Sequence, residues 1–153
     1  RPDLFGCVID SVPQTDLIHL PDDDRGPMYE AVTTCVADNI MTDSTFVCMI
    51  PSATCLENAL SSYMEEPDIQ RDYAHASDYG RLIAGYTWFC MFTGKDIKDC
   101  KIGPFHYADM LDEAARLLKK PVELTQLQKD VLVESVYNAI NNPFEVTPSQ
   151  YSK

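Results

Sequence analysis

The sequence predicts an α/β protein, a three-layer α/β/α arrangement on a parallel sheet, and two observations carry that prediction. The apolar runs at residues 4–12 and 46–50 are continuous rather than alternating, as strands buried on both faces require. Each is followed by a stretch with helical spacing, and strand–helix–strand–helix in close succession is the pattern of parallel βαβ units. In such sheets ligands sit beyond the carboxyl ends of the strands. A chain of 153 residues fits a single domain spanning 1–153.

The first run ends at Pro13, and a polar connection to Pro27 follows, containing Asp22-Asp23-Asp24. Adjacent carboxylates seldom converge on one ion, so this triplet reads as a solvated loop. Met28, Val32, Cys35, Val36 and Ile40 recur at helical spacing and predict a helix over 28–40. Pro51-Ser52 closes the second strand. Leu56, Ala59, Leu60 and Tyr63 then share one face of a helix over 53–63. Residues 64–76 read as a polar loop.

Ser77 or Asp78 can cap the next helix, which runs to Thr93 and stops at Gly94. It is apolar on most sides and contains the single Trp, so it is expected to be buried across the sheet. A linker over 95–104 leads to a helix over 107–119, acidic early and basic late, as the helix dipole favours. Pro121 breaks it. Thr125-x-x-Gln128 is a capping box for a last helix over 126–140, ended by Asn141-Asn142-Pro143. The polar tail to Lys153 is expected on the surface.

The formal net charge is −12, which argues against a nucleic-acid partner, because phosphate binding needs a basic face. It argues equally against an anionic membrane surface, and no apolar run has transmembrane length. The six cysteines form no CxxC pair and no metal-ligand spacing. Most lie in apolar contexts and are expected to be free buried thiols.

The chemistry-bearing motif is Arg71-Asp72-Tyr73-Ala74-His75-Ala76-Ser77. Acyl transfer to a serine needs a base to take the hydroxyl proton and a carboxylate to orient that base. At this spacing Asp72 can reach Nδ1 of His75 and leave Nε2 facing a nucleophile on another loop. By themselves two such residues also fit a surface histidine beside a capping aspartate. A metal site using Asp72, His75 and Asp78 would lack a second nearby histidine, since His19 and His106 lie in unrelated segments.

Taken with Ile50-Pro51-Ser52-Ala53, Gly80-Arg81-Leu82-Ile83-Ala84 and Thr93-Gly94-Lys95, this motif resembles the SGNH (GDSL-like) hydrolase superfamily, in particular its uncharacterised bacterial branches. The family's last block is an Asp-x-x-His before an apolar helix. The resemblance therefore implies a flavodoxin-like fold, His75 as general base and Asp72 as its orienting acid. It also implies a serine esterase acting on a small-molecule or carbohydrate ester, without a cofactor. The family's serine follows its first strand, and Gly and Asn donors in two later blocks form its oxyanion hole. No Gly-x-Asn-Asp-like block is present. Ile9-Asp10-Ser11 imitates the serine block, but too few residues separate Ser11 from Asp72 for the intervening strands. The chain is accordingly expected to be the carboxyl-terminal, incomplete half of such a domain, associating with its own amino-terminal half or with another copy. Ser52 is expected near the site without a catalytic role. A non-catalytic binding or structural module on the same scaffold is the alternative, since one fold hosts many functions.

Overall fold

A computed structural model describes residues 7–9, 25–72, 75–104 and 123–153. Ser11, His19, the acidic triplet, His106 and the helix predicted over 107–119 lie outside the described residues.

The described chain is mixed α/β and mostly helical. Strand β1 (Cys7–Ile9) runs parallel to β2 (Cys48–Ile50), with Cys7, Val8 and Ile9 opposite Cys48, Met49 and Ile50. This is the parallel pairing the two apolar runs predict, in shorter strands. Met49 and Ile50 are buried, as a continuous apolar strand should be. Between the strands lies α1 (Arg25–Cys35), which continues into a single π-helical turn over Val36–Ile40. There the Met41 amide donates to the Val36 carbonyl five residues back, at 2.9 Å. Apolar spacing alone reads the two pieces as one helix.

Pro51 ends β2, and α2 (Ser52–Leu60) starts at once. Its buried positions are mostly small, among them Ala53, Cys55 and Ala59. Small side chains let α2 pack closely on α4 (Asp78–Thr93) and α5 (Gln126–Asn141). Ile83 of α4 and Leu132, Val136 and Ala139 of α5 complete this core. The predicted cap of α5 is present: Thr125 Oγ1 accepts from the Gln128 amide at 3.2 Å, and Gln128 Oε1 accepts from the Thr125 amide at 2.9 Å. Gly94 ends α4 in the left-handed conformation at φ 70°, its amide donating to the Cys90 carbonyl at 2.8 Å.

Three expectations change. The tail does not simply lie on the surface: Ser149 is buried, its amide donating to Ser61 Oγ at 3.0 Å. Upstream, Asn58 Oδ1 accepts from the Thr147 amide at 2.8 Å, so the buried Asn58 of α2 and Ser61 just beyond that helix hold the tail. Helix α4 is not buried all round, because Phe89 and Phe92 remain 41% and 37% exposed. Cysteine chemistry is mixed. Cys55 and Cys90 are buried free thiols, but Cys48 is disulfide-bonded. Strand register brings Cys7 opposite Cys48, a proximity that spacing along the chain does not reveal.

Candidate functional site

The stretch over 64–76, read from sequence as a loop, carries regular structure at 66–72 and 75–76. The short α3 (Glu66–Ile69) has Pro67 in its first turn, and Asp68 Oδ2 accepts from the Glu65 amide at 2.9 Å. Ile69 anchors it in the core. The chain then folds into an antiparallel hairpin of β3 (Gln70–Asp72) and β4 (His75–Ala76). Its register sets Gln70 opposite Ala76 and Asp72 opposite His75, with an irregularity between. The Asp-x-x-His motif is thus a pair of facing residues on a hairpin. Residues directly opposite in an antiparallel pair are cross-strand neighbours. His75 is exposed.

The base of the hairpin is fixed by Ser77. Its amide donates to the Ile69 carbonyl at 2.8 Å and its hydroxyl donates to the Asp68 carbonyl at 2.6 Å. The same hydroxyl accepts from the Gly80 amide at 3.0 Å and so caps α4. The end of α3, the closing residue of the hairpin and the first turn of α4 therefore form one joint. Gly80 makes that joint possible: a Cβ there would lie 2.3 Å from the Ile69 carbonyl oxygen. Beside it, the buried Tyr79 donates its hydroxyl to the Gln128 carbonyl at 2.6 Å, tying α4 to α5. Burial raises the Tyr79 phenol, which keeps it a protonated donor.

Sequence reasoning singled out Asp72 and His75, which the register sets opposite each other, but missed Ser77 as a clamp and Gly80 as a close contact. The Ser77-x-x-Gly80 spacing carried a cap signal and no hint of α3. Ser52 begins α2 at the carboxyl end of β2, but it is buried and its hydroxyl accepts from Trp88 Nε1 at 2.9 Å. Among the described residues, no group of three or more His, Cys, Asp or Glu is placed to hold a metal ion. No helix among them is long and apolar enough to cross a membrane.

Residues 14–120 match a family described as a domain of unknown function, DUF4886. Comparison with curated proteins gives no match. Among solved structures, the crystal structure of a DUF4886 family protein from Bacteroides uniformis ATCC 8492, at 1.50 Å resolution, is similar with a TM-score of 0.66 and 23% identity. The similarity covers 86% of this chain and 44% of that one, so the chain spans less than half the length of that protein. At this identity the likeness is one of fold.

Proposed function

The chain belongs to the DUF4886 family, and on that premise we propose that it carries the acid–base part of a serine ester hydrolase resembling the SGNH superfamily. The observation that carries the proposal is the hairpin register setting Asp72 opposite His75. In this reading Asp72 orients the imidazole and stabilises its cationic form. His75 takes the proton of a serine hydroxyl as that oxygen attacks the ester carbonyl, then returns it to the leaving alcohol. Water repeats the cycle on the acyl-enzyme. Ser52 is unsuited to the attack, being buried and engaged with Trp88. We assign the nucleophile and the oxyanion donors to residues outside those described, in an amino-terminal part of the protein or in another copy. The length of the Bacteroides uniformis protein leaves room for such a part. In this proposal β1 and β2 belong to a wider parallel sheet in a three-layer α/β/α arrangement. The substrate is a small-molecule or carbohydrate ester, no cofactor takes part, and neither nucleic acid nor membrane is a partner.

The test is hydrolysis of p-nitrophenyl acetate and an acetylated sugar by the chain supplied with its amino-terminal region. His75→Ala is expected to lower turnover about 10²–10⁴-fold, the range of general-base contributions, with the fold retained by circular dichroism. Turnover unchanged in His75→Ala overturns the assignment. One observation favours a non-catalytic module instead: the serine described at the carboxyl end of β2 is occupied by Trp88. That reading predicts no serine-dependent hydrolysis under any pairing.

A further inference from the structure

Along α4, beyond the capped first turn, lies a groove of about 500 Å³ that the hairpin chemistry does not use. Leu82, Tyr86 and Phe89 line it from the helix, and the 95–101 segment closes the other side. Tyr86 donates its hydroxyl to the Lys101 carbonyl at 3.1 Å, which holds that segment against the helix. Gly85 lies between the apolar residues and faces the open space of the groove: a Cβ there would meet nothing within 4 Å.

The electrostatics of this groove run against those of the chain. The whole sequence carries −12, yet Arg81, Lys95 and Lys101 line the groove with Asp99 as the only carboxylate among the described residues. Arg81 is 3.6 Å from Asp78, which leaves Lys95 and Lys101 against Asp99 and a surplus of one positive charge among the described residues. Lys95 stands over the Phe89 ring, 5.8 Å from its centroid, and places an ammonium beside an exposed aromatic face. Two aromatics, an aliphatic side chain and ammonium groups at the rim suit a flat apolar body that ends in an anion. The volume lies within the roughly 300–1,000 Å³ of small-molecule sites and is short for an extended peptide.

We propose that this groove binds a small aromatic carboxylate, with the ring on Tyr86 and Phe89 and the carboxylate at Lys95 and Lys101. The inference is independent of ester hydrolysis and is read by binding alone. Isothermal titration of the chain with 2-naphthoate, against neutral 2-naphthamide, is the experiment. Naphthoate is expected to bind saturably and about tenfold or more tighter than the amide, as a charge-assisted contact provides. Its affinity should fall as salt rises. Gly85→Leu fills the groove and should abolish binding without lowering thermal stability, since leucine favours a helix more than glycine does. Lys95→Glu with Lys101→Glu should abolish it by reversing the charge. Equal affinity for the amide, undiminished binding in Gly85→Leu, tighter binding of an acidic peptide, or no binding of naphthoate would each overturn the proposal.

Discussion

His75 stands on a two-residue strand and is exposed, so replacing it should cost little core packing. An exposed side chain contributes little to the core, so His75→Ala should keep the cooperative fold, with a loss of no more than about 1 kcal/mol read from a urea titration. Ser77 is the contrast, because it caps α4 and clamps the hairpin at once. Ser77→Ala should destabilise by at least about 1 kcal/mol, the worth of a lost N-cap, read from the same urea titration. Two buried thiols set a pH dependence. Burial pushes Cys55 up to about 12 from an ordinary 9.0. It does the same to Cys90, whose neighbour Cys100 adds to the shift. A raised thiol keeps its proton when folded and loses it first when unfolded. The contribution is therefore fully present below pH 9 and is lost as pH climbs towards 12. Denaturation midpoints should fall across that window, and Cys55→Ala should flatten part of the slope. A flat profile between pH 9 and 11 in the parent protein would contradict the burial of these thiols.

At the scale of elements, the joint between α3, the hairpin and α4 decides where Asp72 and His75 stand. Gly80→Ala puts a methyl 2.3 Å from the Ile69 carbonyl oxygen, and backbone cannot yield as a flexible side chain does. The loss expected is about 1–3 kcal/mol, as for other overpacked sites, with amide shifts from 69 to 77 moving together. Shifts confined to residues 79–81 would mean that the joint does not couple the hairpin to the helix. The contrast with the legible elements is instructive. Helices α4 and α5 could be read because Gly94, Ser77 and Thr125 mark their ends and apolar spacing marks their faces. Helix α3 and the hairpin are only four, three and two residues long, too short for any period to register. What holds them is Ser77 reaching back to Asp68 and Ile69, a tertiary fact. The Asp72-x-x-His75 spacing was legible, but the facing register of the two residues was not. The π turn, the docked tail and the Cys48 disulfide escaped for the same reason, since each depends on a partner remote in sequence or on a turn that apolar spacing cannot distinguish.

For the whole molecule, the described sheet is a single parallel pair, and β2 has β1 alone as its neighbour among the described residues. A parallel sheet is ordinarily covered on both faces and wider than this, and an open strand edge invites pairing. If the pair belongs to a wider three-layer sheet, the chain should associate in solution with its amino-terminal region or with a second copy. Sedimentation equilibrium at micromolar concentration reads this directly, and a monodisperse monomer with no affinity for that region counts against it. The central claim is that Asp72 and His75 serve a serine, and intact mass after fluorophosphonate treatment tests it most directly, because that probe marks only activated serines. For the chain together with its amino-terminal region, the account predicts one adduct, lost in His75→Ala while the fold persists. No adduct, or an adduct indifferent to His75, would contradict it.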